Sequence, residues 1–199
     1  MRGKRMWQTI RMYLTWSGWN RARYLRKHNV FRSYGEGGVF MPRIVPLYAR
    51  LISVGDNCYI SSGINFITHD GIHLMARKMG IDPEHKIRED VGCIEIGNNV
   101  FVGSGSAILH NVRIGDNVLI AARSVVTKDV PSNSVVAGCP ARVISTFDKL
   151  IEKRLNAETY PAELAPHRQE ISEALVEWCW KDFHEKREKA KETNEQPLQ

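Results

Sequence analysis

A strict period of six residues between Ile96 and Pro131 constrains this chain more than any other feature. Written in sixes, the stretch reads IGNNVF, VGSGSA, ILHNVR, IGDNVL, IAARSV, VTKDVP, and an aliphatic residue returns at Ile96, Val102, Ile108, Ile114, Ile120 and Val126. A helical face repeats near about 3.6 residues and a half-buried strand near about 2, so neither produces this pattern. A period of six requires a coil in which each hexad forms one side of a repeating cross-section, and three hexads then close one triangular turn.

The residue types suit such a prism. The first position of each hexad is β-branched and points inward, as a short strand prefers. The second is small in most hexads (Gly97, Gly103, Gly115, Ala121), and the fifth is usually Val or Ser (Val100, Ser106, Val112, Val118, Ser124, Val130), because a narrow interior has little room. Asn and Asp stand where the chain must turn and tolerate a left-handed backbone. The Ile-Gly-(Asn/Asp)-Asn-Val phrase at Ile96 recurs at Ile114, and an upstream copy, Val54-Gly55-Asp56-Asn57-Cys58, lies in phase with Ile60 and Phe66. Accidental periodicity in a β-rich domain does not produce consecutive matches with a further copy upstream.

The hexads, the interruption after Phe66, the Val-Thr-Lys-Asp-Val-Pro run and the closing Ala137-Gly138-Cys139-Pro140-Ala141-Arg142-Val143-Ile144 resemble the left-handed β-helix, hexapeptide-repeat acyltransferases. The resemblance spans roughly Leu51 to Ile144. It is greatest to the galactoside, maltose and xenobiotic O-acetyltransferase branch and to capsule or O-antigen acetyltransferases. It implies a mainly β fold, a left-handed parallel β-helix with N- and C-terminal helical appendages, and acetyl-CoA as donor, with no metal expected.

The expected organisation is a basic amphipathic segment over 1–38, a β-helix over 39–144 carrying a loop at 71–93, helices over 145–184 and a polar tail over 185–199. Solenoid ends need covering, which gives the appendages a role. With 199 residues the chain holds one solid domain. It shows neither an apolar run long enough to span a bilayer nor a signal-peptide pattern, so a cytoplasmic address is expected. Cys58, Cys93, Cys139 and Cys179 are isolated and read as reduced thiols, with Cys58 at an inward position.

The net charge of +6 is unevenly placed. Residues 1–32 carry Arg2, Lys4, Arg5, Arg11, Arg21, Arg23, Arg26, Lys27 and Arg32 without an Asp or Glu, interleaved with Trp7, Trp16 and Trp19. Spacing such as Met6, Ile10, Tyr13, Leu14 predicts an amphipathic helix, broken near Ser17-Gly18 and restarted before His28. A basic, Trp-bearing helix suits peripheral contact with an anionic membrane, at its inner face for a cytoplasmic protein. The alternative is a cap on the first coil with a solvated basic face. No nucleic-acid motif accompanies the charge, and no nucleic-acid partner is expected. Further along, Pro42 and Pro46 keep an irregular first coil extended. After Val143 the pattern turns helical, with Ser145 or Thr146 as cap and Phe147, Leu150, Ile151 and Leu155 on one face.

For chemistry, His69 stands where the regular hexads give way to the loop. In the resembling enzymes this is the position of the histidine that takes the proton from the acceptor, a task suited to a group titrating near neutral pH. Asp70 follows it and is a candidate catalytic residue that orients the imidazole, although adjacent residues on a strand face opposite ways. Glu95 is the alternative orienting carboxylate. His73 and His85, in the loop, are candidate acceptor contacts. Carried over by resemblance, the acetyl-CoA-binding residues are Ser104, Ala122, Thr127, Lys128 and Arg142; Lys128 and Arg142 suit phosphates. Two departures stand out: Ala121-Ala122-Arg123 puts a bulky cation beside the expected donor channel, and His110-Asn111 replaces the usual Pro-Gly.

The leading expectation is therefore an acetyl-CoA-dependent O-acetyltransferase acting on a saccharide or other small hydroxyl acceptor, a homotrimer with sites between subunits. The alternatives are an N-acetyltransferase of an amino sugar, a zinc enzyme of the γ-carbonic anhydrase kind, whose ligand spacing is absent here, and a non-catalytic assembly or membrane-tethered module.

Overall fold

The computed structural model describes residues 2–167 and 170–194. The chain divides into two compact units, 1–152 and 153–199.

The first unit opens with α1 (Arg2–Leu14) and α2 (Gly18–Lys27). Then come β1 (Ser33–Tyr34), β2 (Val39–Phe40), β3 (Ile52–Val54), β4 (Tyr59–Ile60) and β5 (Asn65–Ile67), followed by α3 (Ile72–Lys78). The regular part continues as β6 (Ile94–Ile96), β7 (Val100–Val102), β8 (Ala107–Leu109), β9 (Val112–Ile114), β10 (Val118–Ile120) and β11 (Val125–Val126). It closes with β12 (Ser134–Gly138), β13 (Ala141–Thr146) and α4 (Phe147–Leu155).

Successive strands go to three different walls. The first wall is β1-β3-β6-β9, the second β2-β4-β7-β10-β12-β13, and the third β5-β8-β11. All pairings are parallel except the closing β12–β13 hairpin. This is the triangular prism that the hexads predict. The first-position residues Val102, Ile108 and Ile120 are fully buried, and the fifth-position Ser106 and Ser124 are as well. Both serines satisfy themselves: Ser106 Oγ donates to Gly103 O at 2.8 Å, and Ser124 Oγ to Ala121 O at 2.8 Å. Cys58 points inward as expected, and burial pushes its thiol pKa up to about 11.

At the corner between the first and second walls, Asn57, Asn99, Asn117 and Asn133 all take left-handed backbone, with φ of 52°, 56°, 55° and 58°. Their side chains form a ladder, Asn57 Nδ2 donating to Asn99 Oδ1 and Asn99 Nδ2 to Asn117 Oδ1, each at 2.9 Å. A second ladder lies beside it: the amides of Glu36, Asp56, Asn98 and Asp116 donate to Asp56, Asn98, Asp116 and Ser132 side-chain oxygens at 2.6–2.9 Å. The Asn and Asp of the repeat therefore contribute left-handed geometry and hydrogen bonds between coils.

The prism begins earlier than expected, at Ser33 rather than at residue 39, because β1 pairs with β3. Its first coil is plugged by an aromatic cluster of Phe31, Tyr34, Phe40 and Phe66. Against this plug α2 buries Ala22 and Leu25. Arg21, 1% exposed, ties the cap together. Its Nε donates to Phe40 O at 2.9 Å and its Nη1 to Thr15 O and Trp16 O at 2.6 and 2.9 Å. Replacing it by Met removes three charge-assisted bonds and leaves carbonyls unmet, so Arg21→Met is expected to lower unfolding stability by about 3 kcal/mol, read as a fall in the urea midpoint.

Thr146 Oγ1 accepts the Lys149 amide at 3.3 Å, capping α4 as its type suggests. In the second unit, α5 (Glu173–Asn194) extends well past residue 184, where the polar tail was expected to begin. Lys and Glu are good helix formers, and the i,i+4 pairs Lys181–Glu185 and Asp182–Lys186 support the extension. The rest of that expected tail, 195–199, lies outside the described residues. No helix among the described residues is long and apolar enough to cross a membrane.

Candidate functional site

The interruption leaves and returns at one corner, between the third and first walls. After β5, His69 bridges Val91 in antiparallel fashion. The Asp70 amide donates to Asp90 O, and the Gly92 amide to Thr68 O, each at 3.0 Å. The prism resumes in register because this short ladder closes the loop's neck. Where neighbouring coils are ordinarily 18 residues apart, the cross-coil bonds here join residues 42 apart. The loop is not wholly irregular, since it contains α3.

His69 is half-buried at that neck. Thr68, fully buried, donates its hydroxyl to Leu47 O at 2.9 Å and lies 3.4 Å from His69 Nδ1. Having committed its proton to Leu47, the hydroxyl faces Nδ1 as an acceptor, which favours the Nδ1–H tautomer and leaves Nε2 as the basic nitrogen. The Tyr48 ring meets the imidazole edge-on, with centroids 4.9 Å apart. Tyr48 takes left-handed backbone at φ 51°, and its hydroxyl donates to the Glu89 carboxylate at 3.0 Å. That bond raises the phenol pKa and keeps the group a neutral donor.

Neither expected orienting carboxylate is bonded to the imidazole among the described contacts. Asp70 Oδ1 accepts the Ile72 amide at 3.3 Å, holding the start of α3. Glu95 Oε2 pairs with Arg113 Nε at 2.9 Å on the exposed first wall. The strand has ended at Ile67, and the Asp70 carboxylate turns to the start of α3 instead of to its neighbour's ring. Close to the same neck stands a pair that the sequence did not single out for chemistry: His110 Nε2 lies 3.9 Å from Asp90 Oδ2. His73, on α3, has its Nδ1 sealed from solvent without a hydrogen-bond partner. His85 is exposed in a left-handed turn, φ 55°, built around buried Asp82, whose carboxylate accepts the Lys86 and Ile87 amides.

The expected donor residues distribute over two corners. Thr127 and Lys128 follow β11 and so share the corner of His69, while Ser104 and Ala122 stack at the corner between the second and third walls. Between these corners lies the third wall, whose outward side chains are Asn65, Ile67, Ala107, Leu109 and Val125. Ser104, Ala122, Thr127, Lys128 and Arg142 are all exposed. Arg142 sits on β13 with Nη1 on Ala141 O. Arg123 takes φ 59° at the place where Gly63 and Gly105 hold 73° and 74° on the preceding coils. Asn111, the second departure from the usual pattern, likewise fills a left-handed position, φ 59°. No group of three or more His, Cys, Asp or Glu positioned to hold a metal occurs among the described residues.

The family model for bacterial transferase hexapeptide, six repeats, matches residues 93–128. Protein CapG of Staphylococcus aureus is 42% identical over 123 residues, covering 61% of this chain and 67% of CapG. Galactoside O-acetyltransferase of Escherichia coli (strain K12) is 42% identical over 94 residues, 47% of this chain, and the chain spans only 43% of that enzyme's length. Among solved structures, a galactoside acetyltransferase in complex with coenzyme A superposes with a TM-score of 0.56 at 28% identity, over 81% of this chain and 87% of that one. With the repeat matched across its central coils and CapG covered to 67% at that identity, the chain belongs to the left-handed β-helix acyltransferases of the hexapeptide-repeat family.

Proposed function

We propose that the protein is an acetyl-CoA-dependent O-acetyltransferase acting on a hydroxyl of a saccharide or glycan precursor, with His69 as general base. The observation that carries this reading is the shared corner: His69, its ring set by Thr68 and Tyr48, stands at the same prism edge as Thr127 and Lys128. Relatives named as galactoside acetyltransferases, one in complex with coenzyme A, supply the donor and the acceptor class. Nε2 takes the proton of the acceptor hydroxyl as its oxygen attacks the thioester carbonyl. The tetrahedral intermediate collapses with cleavage of the C–S bond, and the imidazolium returns the proton to the departing thiolate, giving the acetyl ester and free coenzyme A. Exposed Ser104 and Ala122 leave backbone groups open to the pantetheine amides, and Lys128 and Arg142 pair with its phosphates.

The third wall supports a trimer. Its outward face, with Ile67 39% exposed and Ala107, Leu109 and Val125 half-buried, is flat and largely apolar, and it separates the two groups of donor residues. A second copy against it closes a cleft, and cyclic repetition gives three equivalent sites. The basic α1, with Trp7 strongly exposed, and Trp16 just after it, also exposed, support peripheral contact with an anionic membrane.

Thiol release from acetyl-CoA across a panel of free and lipid-linked saccharides tests the activity, and absence of release with every acceptor would remove it. Lys128→Ala is expected to weaken acetyl-CoA binding about five- to tenfold without changing the pH dependence of turnover. An Ala122→Trp chain, blocked at the opposite corner of the third wall, should recover activity when mixed with a His69→Ala chain under conditions of subunit exchange, because some clefts then take His69 from one chain and Ala122 from another. No recovery despite verified exchange contradicts the shared cleft.

A further inference from the structure

A groove lies between α1 and the segment that leads into the second coil, and the reaction described above gives it no role. Ile10 of α1 forms one side and Ile44, Leu47 and Tyr48 the other, with Val91 at the loop's return. Its volume is about 1320 Å³, above the roughly 300–1,000 Å³ of a pocket for a drug-sized molecule, which suits a chain better than a single ring. Ile10, Ile44 and Leu47 stand 40%, 56% and 39% exposed.

Two of its residues reach the reacting corner. The Tyr48 ring lies against His69, and Val91 is bridged to His69. The groove therefore ends beside the imidazole, sharing Tyr48 and Val91 with its surroundings. Its polar edge is cationic, with Lys4, Arg5 and Arg50 among the lining residues. Arg5 Nε and Arg50 Nη1 are anchored on Val45 O and on Asn29 O and Phe31 O, which fixes both guanidinium groups at the edge. The nearby acid, Glu89, is engaged by the Tyr48 hydroxyl. An apolar floor, a cationic edge and a catalytic base at one end match a molecule with a hydrocarbon chain, an anionic group and a hydroxylated head.

We infer that the groove holds the hydrocarbon chain of an anionic amphiphile, and that the acceptor hydroxyl belongs to that molecule's polar head. This rests on His69 being the base, and it narrows the acceptor from free saccharides to lipid-linked ones. Coenzyme A does not fill the groove, because its proposed contacts lie on later coils.

The test uses the full chain and geranyl phosphate below its micellar concentration, with binding followed calorimetrically. The parent protein is expected to bind the probe, inorganic phosphate at the same concentration is not, and Ile44→Glu should weaken binding about tenfold or more by placing a charge on the apolar floor. Ile10→Glu, on the opposite wall, should do the same. Equal binding by the parent and both variants, no binding at all, or equal binding of inorganic phosphate would overturn the inference. So would a change in solution mass on Ile44→Glu, which would make the groove a contact between copies. His69→Ala is expected to bind the probe as the parent does; if that variant kept its turnover, the base assignment would fall while the binding result still judged the groove.

Discussion

His69→Ala is expected to lower turnover at least about a hundredfold, the usual contribution of a positioned general base, while acetyl-CoA affinity stays close to that of the parent. The split follows from position. The ring projects from the neck of the loop, whereas Ser104, Ala122 and Lys128, the side chains proposed to bind the donor, belong to later coils that do not depend on it. Steady-state rates with coenzyme binding measured separately provide the check, and unchanged turnover would reassign the base. His110, 3.9 Å from Asp90, would then be the first alternative.

Gly103→Val should be among the most destabilising single substitutions in the prism. Gly103 is buried, and a Cβ there would lie 2.4 Å from Ala122 N and 2.8 Å from Ala121 C. Both are backbone atoms of the next coil, so no side-chain rotation relieves the clash. The coil must move away, and its cross-coil bond from the Gly103 amide to Ile120 O, 2.8 Å, stretches with it. Overpacking of this kind costs about 3 kcal/mol. In a chain of this size that corresponds to a fall of roughly 10 °C in melting temperature, measurable by calorimetry. Because Ala122 is displaced directly, acetyl-CoA binding should weaken along with stability; a variant that melts like the parent would mean that the coils are more loosely stacked than the structure shows.

The prism was legible because its code is local. Each hexad states which residue goes inward and which turns the corner, and Ile96, Val100 and Asn99 take the places that their types suggest. The early start at Ser33 was hidden because the first coil departs from six: its cross-coil contacts span 20 residues instead of 18. His69 was singled out as the candidate base from its place at the end of the regular hexads. Its surroundings were not, because they come from distant chain. Tyr48 reaches the imidazole only through a left-handed turn, and Leu47 meets Thr68 across 21 residues. Asp90 comes back through the loop's return to face His110. None of these follows a period, and a signal was present only in the departure at His110-Asn111. The helix beyond residue 184 was hidden for another reason: a run rich in Lys and Glu is compatible with both a helix and a solvated tail, and its i,i+4 pairs decide between them.

The 42-residue separation at the loop has a kinetic meaning. Bringing together two strands 18 residues apart closes a shorter segment of chain than joining strands 42 apart, and the difference in closure entropy is about 0.7 kcal/mol. The coil built from β6, β7 and β8, the one built from β9, β10 and β11, and β12, which pairs with β10 across 16 residues, all join over short segments and form the expected nucleus. The aromatic-plugged first coils dock onto it later, across the loop. His69, Thr68 and Tyr48 all lie on the late side of that gap, so the proposed catalytic corner is complete only when the two halves of the prism meet.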